Sequence, residues 1–554
     1  MAEGSTEKPL GQIQFRTVGN SVPGCGRPGE DFYHWSKAGN SYTRVNIPFG
    51  HVFDIFPSTS FTVGRSSEKN IDLICLDHPM ISWKHFQLYN VVFEEGSNQS
   101  PMVYVRDLQS LNGIFVNGRS ISSKSRQPSP GHLLSDGDII KIEPYWEFEI
   151  SLFNPKSSPL KDIQYEEAKL FRNRYIITDQ ILGHGNQGTI HLAVDVNCGK
   201  QLACKIMDLD PAGAREEQNH LREVDVLAKT RQPGLLSFEY AFRSVHTIYL
   251  FTELATGGDL FSKLASEPLS EKEAKFVAHQ IVKCVYYLHD KRDLAHRDIK
   301  PENILLASGP GIKTRVIIGD LGHSKATTWG RMTSVVGTDM YQAPELRANH
   351  NSNVAHGKSV DIFAIGMTTL TVMIPAARET QLGDMSQKEL DRKLQELFGS
   401  PTLKTPISTK GQDFIRRCLA VDPNSRMTAS QARKHKWICV DKRREESWRE
   451  IRNFFWKPAH TTTPPIEMLP NVLDEAYLSK PRRPAWLQSF HPALSSSAPL
   501  LKRSFEDLEE DDPLKVSLYF PLSKGAVGAS SKNGKRRKAT FGKGSSDQEN
   551  LHQS

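Results

Sequence analysis

From about residue 41 to residue 153 apolar side chains recur at every second position in short runs. Examples are VYVRDL ahead of LNGIFVNG, then SDGDIIKI and WEFEISLF. A period of two puts alternate side chains on one face of a strand. Asn-Gly and Asp-Gly pairs between runs are hairpin-turn chemistry, so this stretch is expected to form an all-β sandwich. Between 175 and 438 the pattern changes. Strand-like runs (YIITDQILG, TIHLAVDV, QLACKIMDL, TIYLFTEL) give way to helical spacing. Within SEKEAKFVAHQIVKCVYYLHD, the positions Val277, Ile281, Cys284, Val285 and Leu288 share one helical face, and Ser270 with Glu273 three residues on is a capping-box start. Strands first and helices after predict a small sheet-rich lobe followed by a larger helical one.

The flanking stretches read differently. Residues 1–40, rich in Gly, Ser and Pro, are expected to be disordered, and 154–174 reads as a linker. The charged amphipathic stretch DKRREESWREIRNFFW opens a tail over 439–554 that is expected to be helical and then disordered and basic. Eight prolines between 455 and 500 argue against regular packing there. The 554-residue length allows roughly three or four domains. No apolar run reaches the roughly 20 residues a bilayer span needs, and the nearest, from Ile362 to Ala377, holds Gly366 and Pro375 and reads as a buried helix. No secretory signal is visible at the start and no membrane partner is expected. Seven cysteines without CxxC spacing make a disulfide framework or zinc site unexpected. A net charge of +7 does not call for direct nucleic-acid binding. One basic cluster, Lys532, Lys535, Arg536, Arg537 and Lys538, has the composition of a nuclear import signal, so the nucleus is the expected location; the alternative is a solvated charge run.

Candidate chemistry begins at Gly183, Gly185 and Gly188, between two strand-like runs. Glycines let the backbone approach phosphates, and a strand after them disfavours a dinucleotide-type turn. Lys205 closes Ala203-Cys204-Lys205 within the next strand, and Glu223, on the helical run LREVDVLAK, could pair with it. Then comes HRDIKPEN, from His296 to Asn303, followed by Asp320-Leu321-Gly322 and Ala343-Pro344-Glu345. Five signatures in this order resemble the protein-kinase family over 175–438. The resemblance implies a bilobal α+β fold using ATP and magnesium. It implies Asp298 as the residue accepting or orienting the hydroxyl proton and Lys300 as the cation on the γ-phosphate. Asn303 and Asp320 would hold magnesium, and Lys205, anchored by Glu223, would meet the α- and β-phosphates. Leu182, Gly183, Gly185, Gly188, Ile190 and Ala203 would surround the nucleotide, with Thr252 as gatekeeper and Glu253–Leu254 as the adenine-facing hinge. Asp361 and Arg426, the latter pairing with Glu345, match scaffold positions. DLG in place of DFG, Asp339 in place of a usual proline, and Gly319 before Asp320 are departures, none of which removes a charged catalytic group.

The β-rich unit carries its own constellation: Gly64-Arg65, then SWKHF from Ser82 to Phe86, then LNGIFVNG from Leu111 to Gly118. Their order and spacing resemble the forkhead-associated (FHA) domain, a β-sandwich that binds phosphothreonine peptides. The guanidinium fork of Arg65 suits a phosphate dianion, Ser82 supplies a hydroxyl, and Asn112 can bond the peptide backbone. His85 is expected to buttress the loop and Asn117-Gly118 to make a turn. Leu111 departs from members with a hydroxyl residue there.

An FHA domain ahead of such a kinase resembles the checkpoint serine/threonine kinases of the calmodulin-kinase group, and most of all the meiosis-specific recombination-checkpoint branch. No Ser-Gln or Thr-Gln site lies in residues 1–60. A vegetative DNA-damage effector is the alternative; one of another class is a phosphopeptide-binding scaffold with an idle kinase domain. A third, calmodulin regulation, rests on the amphipathic stretch near 441–456, whose plainer role is packing on the large lobe. Phosphothreonine proteins are the expected partners, with transient self-association for phosphorylation in trans at Thr333, Ser334 and Thr338 of the activation loop. Asp259 and Glu302 are expected to select substrates with arginine three residues before the target hydroxyl; each could instead be a helix-start charge.

Overall fold

Alternation along the first third of the chain builds two sheets that face each other. The computed structural model describes residues 8–474 except 18–31, 39–40, 48–49, 58–59, 67–72, 92–100, 123–127, 154–156, 186–187, 211–213, 265–266, 324, 327–338, 349–356, 454–455 and 457–465. The strands are β1 (Gly11–Thr17), β2 (Phe32–Ala38), β3 (Ser41–Asn46), β4 (Val52–Ile55), β5 (Phe61–Gly64), β6 (Leu73–Leu76), β7 (Phe86–Val91), β8 (Met102–Asp107), β9 (Phe115–Val116), β10 (Arg119–Ser120), β11 (His132–Leu133), β12 (Ile139–Ile142) and β13 (Trp146–Leu152). One sheet runs β10-β9-β12-β13-β1-β4 and the other β11-β8-β7-β5-β6-β2-β3. Part of 1–40, expected from its composition to be disordered, therefore belongs to the sandwich: β1 is paired on both sides, by β13 and β4, with Ile13 and Phe15 buried, and β2 pairs with β6 and β3. Ile13, Phe15, Ile140, Phe148 and Ile150 from the first meet Val63, Phe86, Leu88, Val103 and Val105 from the second in one buried core. Burial of such side chains contributes about 1.5–3 kcal/mol each, which is what holds the sheets together.

The small lobe that follows is a sheet of order β14-β15-β16-β18-β17 built from β14 (Tyr175–Gly185), β15 (Gly188–Asp195), β16 (Gln201–Asp208), β17 (Phe238–Arg243) and β18 (Thr247–Glu253), with helix α2 (Ala214–Lys229) beside it. The segment read as a linker is more than a connection. It forms helix α1 (Asp162–Ala168) and then drops Phe171 into an aromatic cluster on the sheet. The Phe171 ring stacks on Phe242 at 4.4 Å and meets Tyr249 edge-on at 5.2 Å.

The large lobe packs around helices α4 (Glu271–Lys291) and α6 (Ser359–Met373), with short α3 (Leu260–Lys263) and α5 (Pro344–Ala348) and then α7 (Gln387–Phe398), α8 (Thr409–Cys418) and α9 (Ala429–Lys434) completing it. Ser270 caps α4 in the capping box read from sequence. Helix α6 is buried all round, but it stops at Met373, short of the expected Ala377. Pro375 lacks the N–H to continue the ladder and opens a 3₁₀ turn instead. Beyond it, α10 (Lys442–Asn453) lies on α4: Trp448 packs edge-on against Phe276 at 5.1 Å, and Lys283 pairs with Glu445.

One expectation about the tail needs correcting. Proline density argued against regular packing from 455 to 500, yet β23 (Glu467–Met468) adds in parallel to the edge strand β17, after the short strands β19 (Leu294–Ala295), β20 (Ile304–Leu306), β21 (Val316–Ile318) and β22 (Lys325–Ala326) of the large lobe. Leu469 and Val472 are buried there, and Glu467 pairs with Arg174 at 2.8 Å. An edge strand leaves backbone groups unpaired, and even two residues of extended chain satisfy some of them.

Because Phe171 joins the linker to the small-lobe cluster, Phe171→Ala should lower kinase-domain stability by about 3–5 kcal/mol, the usual cost of emptying a buried aromatic site. Urea unfolding of the full chain should show the loss; a midpoint unchanged from wild type would mean that the linker only rests on the lobe.

Candidate functional site

The sequence candidates for phosphoryl transfer converge between the two lobes. Lys205 on β16 and Glu223 on α2 are 18 positions apart in the chain, yet the Lys205 Nζ lies 2.9 and 2.8 Å from the two Glu223 carboxylate oxygens. Burial pulls the Lys205 ammonium toward neutrality, but Glu223 and Asp320 outweigh it and hold the pKa above the ordinary lysine value. The cation is therefore secure. The glycine turn is tight: at Gly188, φ is +145°, and a Cβ there would lie 2.0 Å from the Ile206 carbonyl oxygen. Only glycine fits.

Below, the loop from His296 to Asn303 is tied to itself. Asn303 Nδ2 donates to the Asp298 carboxylate at 2.7 Å and to its backbone carbonyl at 2.8 Å, while Lys300 Nζ stands 3.1 Å from Asp298 Oδ2. With its amide N–H groups so committed, the Asn303 side-chain oxygen is left as an acceptor, as a cation ligand must be. Gly319 N–H donates to the Asn303 carbonyl at 2.8 Å and His296 Nε2 donates to the Gly319 carbonyl at 3.0 Å. These bonds fix Asp320 beside Asn303, so the pair of oxygen donors fits magnesium. Asp320 takes a left-handed φ of +53°, a conformation a non-glycine residue adopts only under local constraint. Leu321 is buried in the core that includes Val224 and Leu227 of α2, so leucine fills the apolar plug position.

What aims the loop is Asp361. Its carboxylate, 0% exposed, accepts from the backbone N–H groups of His296 (2.8 Å) and Arg297 (2.7 Å) and from His289 Nε2 (2.7 Å). Burial acts to raise its pKa, but these donors hold it below the usual carboxylate range. Arg426 makes a two-bond fork to Glu345 at 2.7 and 3.0 Å, as the sequence pairing suggested.

At the hinge, Thr252 is buried and Glu253 is engaged by Arg315 and by the Ser237 N–H. Sequence reading passed over Ala255: it is buried in the hinge beyond Leu254, and no protein acceptor meets its amide among the described residues. Nothing in its side chain could have signalled it. Asp259 and Glu302 differ sharply. Asp259 caps α3, taking the Ser262 N–H at 2.7 Å and the Ser262 hydroxyl at 2.8 Å. Glu302 has a buried Oε2 with no hydrogen-bond partner among the described residues, and burial together with Asp259 raises its pKa, against Lys300 and Arg378. Thr333, Ser334 and Thr338 lie outside the described residues, as does the basic cluster from Lys532 to Lys538.

At one end of the sandwich the second constellation assembles. Arg65 follows β5 with its side chain exposed, and its N–H is fixed to the Ser82 carbonyl at 3.0 Å. The Ser82 hydroxyl accepts from the Leu111 N–H at 2.9 Å, so its own hydrogen remains to donate outward. Asn112 is exposed, and its Nδ2 donates to the Met80 carbonyl at 2.7 Å, bracing the loop. His85 ties the two loops together: Nδ1 accepts from the Ser82 N–H at 3.1 Å and Nε2 donates to the Gly113 carbonyl, next to Asn112, at 3.1 Å. Asn117 (φ +49°) and Gly118 (φ +76°) make the expected turn. Leu111 stands 87% exposed.

A lysine–glutamate pair above a braced aspartate loop, joined to a sandwich with a basic loop end, defines a kinase carrying a phosphopeptide-reader domain. The protein kinase domain model matches residues 176–438 and the FHA domain model residues 61–143. The chain is 31% identical over 400 residues to the meiosis-specific serine/threonine-protein kinase mek1 of Schizosaccharomyces pombe, spanning 70% of this chain and 83% of that protein. It is 30% identical over 387 residues to the serine/threonine-protein kinase cds1 of the same organism, spanning 66% and 79%. Among solved structures it is similar to Rad53 1-466 in complex with AMP-PNP, with 22% identity, a TM-score of 0.39, and coverage of 77% of this chain and 100% of that one. That last likeness is too loose to carry an argument. The chain belongs to the FHA-domain serine/threonine protein kinases, relatives of checkpoint and calmodulin-dependent kinases, and is an enzyme of that class. No described helix is long and apolar enough to cross a membrane.

Burial lowers the His85 pKa from 6.5, and the two bonds it makes require the neutral ring. The unfolded chain takes up this proton near pH 6.5 and the folded one only at lower pH, so acid favours unfolding. The stability difference between wild type and His85→Gln, read from hydrogen exchange of β7 amides, should be constant above about pH 6.5 and shrink below it. A difference that does not vary with pH would show that the ring is not held neutral.

Proposed function

We propose that this protein is an ATP- and magnesium-dependent serine/threonine kinase brought to phosphothreonine-marked proteins by its FHA domain, acting in the nucleus in meiotic recombination-checkpoint signalling. The observation that carries the catalytic reading is the formed Lys205–Glu223 pair above an Asp298 bonded by both Asn303 and Lys300. Asp298 orients the attacking hydroxyl and takes its proton; Lys300 and Lys205 neutralise phosphate charge; the hinge backbone from Glu253 through Leu254 to Ala255 meets adenine. Magnesium, held by Asn303 and Asp320, would supply charge neutralisation across the phosphates. The meiotic role is supported by the match to mek1 over 83% of its length and by the absence of Ser-Gln and Thr-Gln sites from residues 1–60. The match to cds1 keeps a vegetative checkpoint role as the second reading. Nuclear location rests on the basic cluster at 532–538.

The reader reading rests on Arg65, whose exposed fork stands next to the outward-donating Ser82 hydroxyl, with Asn112 bracing the loop. Docking on a phosphorylated scaffold would raise local concentration and favour phosphorylation in trans at Thr333, Ser334 and Thr338. Arg297, beside Asp298, is a buried cation that a phosphate on that loop would stabilise. For substrates, the reading is Arg-x-x-Ser/Thr. Glu302 carries most of the preference, because its Oε2 lacks a bond that a guanidinium could supply, whereas both Asp259 oxygens already serve Ser262.

Asp298→Asn should cut phosphate transfer from radiolabelled ATP by about 10²–10⁴-fold. Full transfer by that variant would leave only the scaffold reading. Arg65→Ala should weaken phosphothreonine-peptide binding by at least about tenfold while sparing activity on a soluble peptide, given about 1.5–3 kcal/mol per charged hydrogen bond. Equal binding of unphosphorylated peptides would end the reader assignment.

On a peptide array Glu302→Gln should flatten the arginine preference at the third position before the target by about tenfold or more. An array with no bias there in wild type, or an acidic bias, refutes the specificity.

A further inference from the structure

The sandwich is apolar on a face where its own core gives no reason to be. On β7 and β8 the residues Phe86, Leu88, Val103 and Val105 point inward. Tyr89, Val91, Met102 and Tyr104 therefore point outward, where an antiparallel sheet ordinarily meets water. They are buried all the same: Tyr89 is 1% exposed and Tyr104 0%. With Leu133 they form one cluster with Leu182 and Leu192 of the small lobe, and Ile190, Ala203 and Leu254 pack against it.

Polar bonds ring the cluster and reach three parts of the kinase at once. On the small lobe, the Gln201 side chain accepts from the Leu133 N–H at 2.8 Å and donates to the Leu133 carbonyl at 2.9 Å. At the hinge, Tyr89 Oη donates to the Thr256 carbonyl at 3.0 Å and the Gly131 N–H donates to Thr256 Oγ1 at 3.1 Å. On the large lobe, Arg106 donates to the Gly309 carbonyl. The approach is close enough that a Cβ on Gly309 would lie 2.5 Å from the Tyr89 ring. Leu182, Ile190, Ala203 and Leu254 are also the side chains assigned above to the nucleotide pocket, and this docked arrangement coexists with the formed Lys205–Glu223 pair.

We infer that the tyrosine face of the FHA sandwich is a docking surface for the hinge of this chain's own kinase domain, and that it positions the nucleotide cleft. It holds β14, the hinge and the loop after β20 in one relation, so the adenine-facing side chains are set before ATP arrives. Arg65 takes no part in the contact, so the reader loops are free to engage peptide while the face is docked. The inference rests on the nucleotide reading of the cleft, which ATP-dependent transfer by wild type and its loss in Asp298→Asn test separately.

The experiment uses the full chain with Gln201→Ala, which leaves the reader domain untouched, and with Arg106→Ala, which leaves the kinase domain untouched. Each removes hydrogen bonds that cross the contact, so the combined variant should raise the KM for ATP by about five- to tenfold. The kcat on a soluble peptide should stay within about twofold, because no reacting group is touched. Phosphothreonine-peptide affinity should not change. Hydrogen exchange at the Gly131 amide, whose acceptor Thr256 Oγ1 neither substitution removes, should quicken, reporting the loss of docking without reference to catalysis. Faster exchange with an unchanged KM would overturn the positioning role. A higher kcat or a lower KM on undocking would show a restraint instead and overturn it too. Unchanged exchange in the combined variant would overturn the docking surface itself.

Discussion

Everything chemical in the large lobe hangs on one buried carboxylate. Asp361 is removed from water and is tolerated there because three donors meet it, two of them backbone N–H groups of the loop it serves. Those two bonds determine where Asp298 points. From Asp298 the chain of bonds continues through Asn303 to Gly319 and so to Asp320. The Asp298 carboxylate, the Asn303 amide and the Asp320 carboxylate are thus positioned by a group that lies behind all three.

The small lobe is held from outside in a comparable way. Its sheet has an aromatic back that would be exposed in isolation, and chain on both sides of the kinase domain covers it. Phe171 arrives from the linker and Leu469 from the tail, and both sit in one cluster with Phe242, Tyr249 and Phe251. Arg174 joins the two arrivals by pairing with Glu467 while its guanidinium lies 4.0 Å from the centre of the Tyr240 ring. On the other side the lobe meets the tyrosine face of the sandwich. The small lobe, which carries Lys205 and the glycine turn, is therefore bounded by linker, tail and reader domain together.

Chemistry was legible in the sequence where it depends on residue type at short range. HRDIKPEN, the glycine turn, the Ser270–Glu273 capping box and the Asn117-Gly118 turn each state a local geometry, and each is found. Where a backbone group is left without a partner among the described residues, as at Ala255, no side chain announces it. Asp259 and Glu302 look alike as letters. Only the fold commits one to Ser262 and leaves the other with a buried, unbonded oxygen.

The outer face of β8 shows the limit most clearly. VYVRDL was read as an alternating strand, yet Val103, Tyr104 and Val105, with Met102 before them, are all buried. Alternation reports one buried face; a continuous apolar run reports two, but not what covers the second. The segment 466–474 is the same case in reverse, since the prolines of 455–500 argued against packing and an open sheet edge supplied it. By itself the sequence determined the two domains' folding patterns and the motifs that come together around Asp298 and around Arg65, because strand period, caps, turns and motif spacing are local properties. Which surfaces meet was decided only by tertiary structure, because burial of a face depends on a partner distant in the chain, and no local pattern encodes that partner's position.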